Sequence, residues 1–334
     1  QPPPIWAMEM DEGRTKLVGT KKELFRNDMT WEGNLVEGVS MIKKNGYYYA
    51  FYAGAGCCGK GCTYTTGIAR SKQLLGPWEK YAHNPVLVND STWKCPGHGT
   101  PIEKDGRNFL LYHAYDKKTD VYTGREGLLM EYRFSTDGWI EFIKKPGSAR
   151  LTRFTDKDNF SGKNLSADWQ WSVFQKPQTE INGGMLILKS VPVYGTYIGR
   201  KTLGGNYTAT ATIQAEKSNA TTGVGMIGDE KNRVAVLYTG DRIQVISMRD
   251  GASTIVKEER VSAKKRIDLR IRVSNGNQVL FEYRAAGKSF IPLNDEPLNA
   301  VYLPPWDRAV RIGLISLGEK GRQSVFDDLE IEYE

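Results

Sequence analysis

The hydrophobic positions of the chain fall in short runs separated by polar and turn residues, a pattern typical of β-strands. Short runs rich in aromatic and β-branched residues lie between turn residues, and no long stretch has helical periodicity. The clearest runs predict strands at residues 47–52, 109–113, 207–213, 233–238, 243–248, 267–273, 279–283 and 310–317. The pattern therefore predicts an all-β protein.

A repeat with an offset of sixty residues lies in the first part of the chain. Asn45-Gly46 and Asp105-Gly106 both favour tight hairpin turns, and each has an isoleucine three residues before it and a strand-forming run after it. A unit of about 60 residues with about four short strands has the size of one β-propeller blade with long loops. The repeat therefore predicts propeller blades.

The predicted blades are too few to close a propeller. Residues 1–150 have room for about two and a half such units, whereas closed propellers have about 4–8 blades. We therefore expect the N-terminal blades to lie outside this chain, in the same gene product or in another polypeptide. After residue 150 the repeat ends, and strands alternate with turns at the spacing of a β-sandwich. The predicted domains are a partial propeller at 1–150 and a jelly-roll sandwich at 151–334.

Composition and charge exclude several classes of protein. Of the 334 residues, 40% are apolar and 25% are charged, which is typical of a folded globular chain. No apolar run is long enough to span a membrane. The net charge is +7, but the basic residues are scattered in short clusters and no nucleic-acid-reading module accompanies them. We therefore expect neither a nucleic acid nor a membrane as a partner.

The four cysteines, Cys57, Cys58, Cys62 and Cys95, all lie in the first predicted domain. Four cysteines allow three pairings, and the sequence does not choose among them. Their clustering favours a local loop held by disulfides in an oxidising compartment, with ordinary buried thiols as the alternative. Five N-x-S/T sequences fit a secreted protein as well. The prediction is a secreted or periplasmic location.

Glu37 is the first candidate for chemistry. It lies in the segment 31–40, WEGNLVEGVS, on a short apolar strand that is followed by glycine. The innermost strand of a propeller blade lines the central channel, so an acid there points toward the axis. Burial among aromatic side chains favours the neutral form of a carboxyl group, which suits a general acid. The alternative is a surface glutamate.

Two basic residues are further candidates. His98 lies between two glycines that leave room for close approach to its ring, and the sixty-residue offset brings it near Glu37. Such a histidine could bind a metal, contact a substrate or hold another residue in place, although a lone histidine is more often structural. Arg125 could hydrogen-bond substrate hydroxyls or keep a second acid ionised, with a surface arginine as the alternative.

The motifs around these residues, in their order along residues 5–143, resemble glycoside hydrolase family 43. The resemblance rests on Val36-Glu37-Gly38, KNGYYYAFY at 44–52, GIARS at 67–71, LGPWE at 75–79, GHG at 97–99, LYH at 111–113, Arg125 and DGW at 137–139. Members of that family have a five-bladed propeller, which implies about 150 further residues before this chain at about 60 per blade. The resemblance implies a glycosidase.

The family resemblance also implies roles for single residues. Glu37 matches the catalytic acid of an inverting mechanism, while the family's base and pKa-modulating aspartates have no counterpart here. Arg125 matches an arginine that lines the sugar pocket. His98 matches a histidine that in some members helps to hold a calcium ion through water, and no organic cofactor is implied. Val39 stands where the family usually has proline.

The second domain resembles the concanavalin-like sandwich that follows the propeller in β-xylosidases of this family. The matching segments are 154–156, 169–171, 183–188 and 326–331. Trp169 and Trp171 alternate with polar residues as they would along one strand face, and we expect both to pack into the sandwich core.

The resemblance implies hydrolysis of plant pentose oligosaccharides or polysaccharides, by an α-L-arabinofuranosidase or a β-xylosidase. A non-catalytic carbohydrate-binding protein is the alternative, because the chain contains no recognisable base. A fructan hydrolase with the same two-domain plan is disfavoured, since such enzymes resemble one another in a Glu-Cys-Pro segment and this chain has Glu37-Gly38-Val39.

Overall fold

The computed structural model describes residues 4–59, 61–143, 153–261, 263, 265–285, 287–303 and 309–334. The chain divides into two compact units, of which the first comprises Gln1–Asp120 and Arg125–Ser148 and the second Val121–Gly124 and Ala149–Glu334. Strands account for nearly all of the regular secondary structure in the described residues, which confirms the all-β prediction. The predicted domain boundary at residue 150 lies outside the described residues.

The first unit contains ten strands and a short 3-10 helix at Thr30–Glu32. The strands are β1 (Ile5–Met10), β2 (Leu17–Phe25), β3 (Val36–Lys44), β4 (Tyr47–Gly54), β5 (Thr65–Ser71), β6 (Glu79–Lys80), β7 (Trp93–Lys104), β8 (Arg107–Asp116), β9 (Arg125–Phe134) and β10 (Ile140–Ile143). A one-turn helix, α1 (Asp120–Thr123), lies between β8 and β9.

Two four-stranded antiparallel sheets and one hairpin make up this unit. The sheets have the strand orders β3-β4-β5-β6 and β7-β8-β9-β10, and β1 pairs with β2. The predicted hairpin turns both form: Asn45 and Gly46 have positive φ, as do Asp105 and Gly106 sixty residues later. Side chains from β4, β5 and β8–β10 form one apolar cluster between the two sheets. The arrangement of these sheets as part of a ring stays a prediction.

The second unit contains fifteen strands among its described residues. They are β11 (Phe154–Asp158), β12 (Thr179–Asn182), β13 (Met185–Lys189), β14 (Thr196–Lys201), β15 (Tyr207–Gln214), β16 (Thr221–Asp229), β17 (Asn232–Tyr238), β18 (Arg242–Arg249), β19 (Ala252–Arg260), β20 (Arg266–Ser274), β21 (Gln278–Ala285), β22 (Ile291–Pro292), β23 (Leu298–Asn299), β24 (Arg311–Leu317) and β25 (Gln323–Tyr333).

These strands form a two-sheet sandwich. One sheet follows the order β12-β13-β25-β15-β20-β21-β22, with β11 added on β25 and β23 on β21; the other follows β14-β24-β16-β17-β18-β19. The alternating apolar residues of both sheets meet in one large core. Tyr122 of α1 is buried in that core, where a side chain at Gly205 or Gly276 would collide with its ring.

The prediction for the two tryptophans was half wrong. Trp169 is 3% exposed and belongs to the sandwich core, whereas Trp171 is 37% exposed. Neither lies on a named strand: both flank Gln170, which makes an isolated bridge to Gly199. The strand alternation assumed for them does not exist, so nothing directs both rings inward.

Within the described residues, no helix has the length and hydrophobicity needed to cross a lipid bilayer.

Candidate active site

Glu37 lies at the second position of β3, where the strand is irregular. The pairing of β3 with β4 shifts register between Glu37 and Ser40, and Gly38 has a φ of 62°. A bulge of this kind changes the direction of a side chain relative to a regular pleat. The carboxyl group of Glu37 is half-buried, so it keeps access to solvent while lying among ordered neighbours.

Glu32, the other acid of the same segment, has a structural role. Its carboxylate is fully buried, forms an ion pair with Lys80 at 2.6 Å and accepts hydrogen bonds from the Tyr52 hydroxyl and from the backbone N–H groups of Asp28 and Met29. These donors and the cation compensate its charge in place of water. Glu37 is therefore the carboxyl group of this segment that a ligand can reach.

Tyr64 hydrogen-bonds Glu37. Its hydroxyl donates to Glu37 Oε1 at 2.7 Å, and its ring stacks on His113 with the ring centroids 5.9 Å apart and 8° between the planes. Burial is the main cause that raises the pKa of Tyr64 well above its usual range, and the hydrogen bond to Glu37 adds to it. The phenol therefore stays protonated and remains a donor to the carboxylate.

His98 packs on Gly38, the residue that directly follows Glu37. It occupies a bulge of β7 with a φ of 53°, the same left-handed conformation that Gly38 adopts sixty residues earlier. The exposed His98 ring covers Gly38 so closely that a Cβ on that glycine would lie 3.0 Å from His98 Cγ. This contact brings the imidazole next to the strand position that carries the acid.

The explanation offered for the glycines around His98 was wrong. A Cβ on Gly97 would lie 2.2 Å from the ring of Tyr64, and one on Gly99 would lie 2.8 Å from Leu110. These two glycines therefore make room for a tyrosine and a leucine. The glycine that makes room for the histidine is Gly38, on the neighbouring sheet.

Arg125 reaches the same cluster through His113. Its Nη1 atom lies 3.1 Å from His113 Nε2, and the His113 and His98 ring centroids are 6.4 Å apart. Because a guanidinium group only donates, His113 Nε2 must accept, which places the imidazole proton on Nδ1. The three residues predicted from the sequence, Glu37, His98 and Arg125, thus lie around Tyr64 and His113.

Burial is the main cause that lowers the pKa of His113 to about 4, and the positive charges of Arg125 and His98 act in the same direction. The unfolded ring takes up a proton near pH 6.5 and the folded ring only near pH 4. The unfolded state therefore binds more protons in this window, and acidification through it lowers the free energy of unfolding.

We expect His113→Asn to flatten this pH dependence, because the variant has no ring to protonate on unfolding. Urea unfolding of wild type and variant at steps between pH 6.5 and pH 4 measures the slope of the free energy of unfolding against pH. His83→Asn removes an exposed ring and is the control, with the wild-type slope expected. An equally steep slope in His113→Asn would contradict the assignment.

All four cysteines form disulfides beside this cluster. Cys57 bonds to Cys58, and Cys62 bonds to Cys95, at a sequence separation of 33. The loop 55–64 therefore carries one bond within itself and one to β7. Cys57 and Cys62 pack against a buried group that includes Tyr64 and Cys95.

The described residues do not by themselves form a metal site. Among them, no group of three or more His, Cys, Asp or Glu side chains is arranged to hold a metal ion. The contribution of His98 to a calcium site through water stays a prediction.

Tyr64 and His113 are the residues that the sequence did not single out. His113 belongs to the LYH run at 111–113, but its position in that run does not reveal its contacts. Both residues enter the cluster through tertiary contacts across two sheets. The one available signal was the proximity of Tyr64 to Cys62, because a disulfide from that position fixes the residues that follow it.

The fold and the cluster define an all-β chain with an acid, two histidines and an arginine gathered on paired four-stranded sheets, followed by a sandwich. The family model described as glycosyl hydrolases family 43 matches residues 1–140. The model described as the β-xylosidase C-terminal concanavalin A-like domain matches residues 157–305. Residues 1–140 therefore belong to glycoside hydrolase family 43.

Curated relatives are similar over part of their length. The chain is 28% identical over 253 residues to a non-reducing-end α-L-arabinofuranosidase of Bacteroides ovatus, a match that covers 64% of this chain and 46% of the relative. It is 27% identical over 196 residues to a xylosidase/arabinosidase of Humicola insolens, covering 53% of this chain and 35% of the relative. The matches thus span less than half the length of these two relatives.

Solved structures share the fold. A xylan β-1,4-xylosidase from Bacillus halodurans superposes with a TM-score of 0.81 at 18% identity, covering 99% of this chain and 70% of that one. A family 43 protein from Bacillus licheniformis gives a TM-score of 0.80 at 20% identity, with 99% and 71% covered. At these identities the likeness establishes the architecture alone, and it confirms the predicted all-β class, while the partial propeller stays a prediction.

Proposed function

We propose that the protein of which this chain is part hydrolyses glycosides of plant pentose sugars, as an α-L-arabinofuranosidase or a β-xylosidase, with Glu37 as the general acid. The observation that carries the proposal is the contrast between the two glutamates of one segment. Glu32 is fully buried and ion-paired, whereas Glu37 is half-buried, accepts a hydrogen bond from Tyr64 and directly precedes Gly38, on which His98 packs.

The proposed chemistry is a single inverting displacement. Glu37 transfers its proton to the glycosidic oxygen as the bond to the sugar breaks, while a carboxylate on the opposite face activates water. An inverting pair keeps its two carboxyl groups about 6.5–9.5 Å apart so that water fits between sugar and base. No aspartate of this chain is assigned as the base, which the proposal places in the preceding blades.

His98 and Arg125 are proposed to bind the sugar. The exposed His98 imidazole lies next to Glu37 and offers a hydrogen bond to a hydroxyl. Arg125 is half-buried with its guanidinium on His113, which holds it in one orientation. An oriented guanidinium presents paired N–H donors, which suit the vicinal hydroxyls of a pentose.

The β1–β2 hairpin supports the proposal that further strands complete the first unit. It has two strands, whereas each of the other sheets of that unit has four. It also leaves large apolar side chains exposed, namely Trp6, Met8, Met10, Leu17 and Val18. An isolated two-stranded hairpin is marginal in water, so we propose that N-terminal blades cover it. The two disulfides support secretion or a periplasmic location.

Assay of the full-length protein with aryl α-L-arabinofuranosides and aryl β-xylosides tests the proposal. We expect turnover of at least one class, and proton NMR recorded immediately after mixing should show the product sugar with inverted anomeric configuration. Initial release of the retained anomer would contradict the single displacement. Saturable binding of pentose oligosaccharides without any hydrolysis would favour the non-catalytic alternative.

A further inference from the structure

The loop between β4 and β5 carries the residue that hydrogen-bonds the proposed acid. Tyr64 lies at the end of this loop, and its hydroxyl is 2.7 Å from Glu37 Oε1. With Oε1 accepting from Tyr64, the proton of the neutral acid sits on the other oxygen, Oε2. The hydrogen bond therefore determines which oxygen of the carboxyl group can deliver a proton.

Three contacts fix the Tyr64 ring. On one face it stacks on His113, and on another side Gly97 approaches so closely that a Cβ there would lie 2.2 Å from Tyr64 Cδ1. The third restraint is covalent, because Cys62, two residues before Tyr64, is bonded to Cys95, two residues before Gly97. The disulfide thus joins the two backbone segments between which the ring is held.

We propose, on the basis of the function proposed above, that Tyr64 is a positioning residue for the general acid Glu37 and that the Cys62–Cys95 disulfide holds Tyr64 in place. The phenol orients the carboxyl group and stabilises its charged form. The disulfide keeps the loop 55–64 against β7, so the hydrogen bond persists when the substrate site is empty and when it is filled.

The ionisable groups near Glu37 determine how the pH profile should change when Glu37 loses its hydrogen bond from Tyr64. The ionisable groups gathered around Tyr64 and Glu37 include His98, which covers Gly38, and His113, which stacks on Tyr64 and carries Arg125. Among these groups, Tyr64 donates its hydroxyl to the carboxylate at 2.7 Å. Removing its hydroxyl leaves the charges of the other three unchanged.

Tyr64→Phe keeps the ring and deletes the hydrogen bond. Because hydrogen bonds to charged groups are among the stronger ones, we expect kcat to fall by about tenfold with KM nearly unchanged. The acid must be protonated to act, and its carboxylate loses a stabilising donor, so the alkaline limb of the kcat/KM profile should move to higher pH. A purely structural role would not move this limb.

Tyr115→Phe is the matched control. Tyr115 belongs to the same buried group, and its hydroxyl accepts a hydrogen bond from the N–H of Gly59. We expect its alkaline limb to stay at the wild-type pH. An equal shift in Tyr64→Phe and Tyr115→Phe would overturn the specific role of Tyr64.

The disulfide is tested with Cys62→Ser/Cys95→Ser, and Cys57→Ser/Cys58→Ser serves as the control that leaves the bond to β7 intact. The Cys62→Ser/Cys95→Ser variant should have a lower kcat and an alkaline limb at higher pH than the wild type. Adding Tyr64→Phe to this variant should lower kcat by a smaller factor than it does in the wild type, because both changes remove the same restraint on the acid. The Cys57→Ser/Cys58→Ser control should keep the alkaline limb at the wild-type pH. Fully additive effects would overturn the link between disulfide and Tyr64.

Glu37→Gln separates failure of this inference from failure of the proposed function. If that variant keeps wild-type turnover, the proposed acid is wrong. If it is inactive and Tyr64→Phe matches the wild type in kcat and in its alkaline limb, the acid stands and the positioning role is overturned. Because Tyr64→Phe preserves the packed ring, its result is informative even if the disulfide variants fail to fold.

Discussion

Glu37→Gln in the full-length protein should lower kcat on unactivated pentosides by about 10²- to 10⁴-fold, the usual contribution of general acid catalysis. Glutamine keeps the shape of the side chain and can still accept the Tyr64 hydrogen bond, but it has no proton to give to the departing oxygen. Steady-state kinetics on a natural oligosaccharide measure the loss. KM should change much less than kcat, because the missing interaction forms in the transition state.

The control for this experiment is Glu103→Gln. Glu103 is exposed at the end of β7 and pairs with Lys44 at the surface. Its replacement removes the same charge from the same unit and should leave kcat within the scatter of the assay. Wild-type turnover in Glu37→Gln would show that another group protonates the leaving oxygen.

Lys80→Met should produce the largest loss of stability. Lys80 forms an ion pair with the fully buried Glu32 at 2.6 Å, and the lysine side chain itself is 9% exposed. Methionine fills the space but leaves a buried carboxylate without its cation, and breaking such a pair costs about 3–5 kcal/mol. Urea unfolding followed by tryptophan fluorescence measures the difference in the free energy of unfolding.

Lys44→Met is the matched comparison at the surface. It breaks the ion pair with Glu103. The side chain of Lys44 is 37% exposed and that of Glu103 is 54% exposed. Exposed pairs contribute about 0–1 kcal/mol, so this variant should unfold close to the wild type. Equal losses in the two lysine variants would show that Glu32 finds compensation without Lys80.

The sequence was informative where structure depends on local chemistry. Asn-Gly and Asp-Gly set both hairpin turns, because a turn with two left-handed residues admits few other dipeptides. The sixty-residue repeat was also informative beyond its two hairpin turns. It paired Gly38 with His98, and both occupy left-handed positions at matching bulges, beside each other in space.

The sequence was uninformative where the outcome depends on distant partners. Glu32 and Glu37 lie in one short segment, and only the ion pair with Lys80, 48 residues later, distinguishes the buried acid from the accessible one. The disulfide pairing and the stacking of Tyr64 on His113 likewise arise from packing between two sheets. Trp171 illustrates the converse error, since alternation was read as a strand where the chain has none.

The most direct test of Glu37 as the general acid is the dependence of rate on the leaving group. For a series of aryl pentosides whose phenols differ in pKa, kcat/KM of the wild type should depend weakly on that pKa, because proton transfer offsets the charge on the departing oxygen. The dependence should become steep in Glu37→Gln, with the best leaving groups losing least. The same slope in wild type and variant would contradict the assignment.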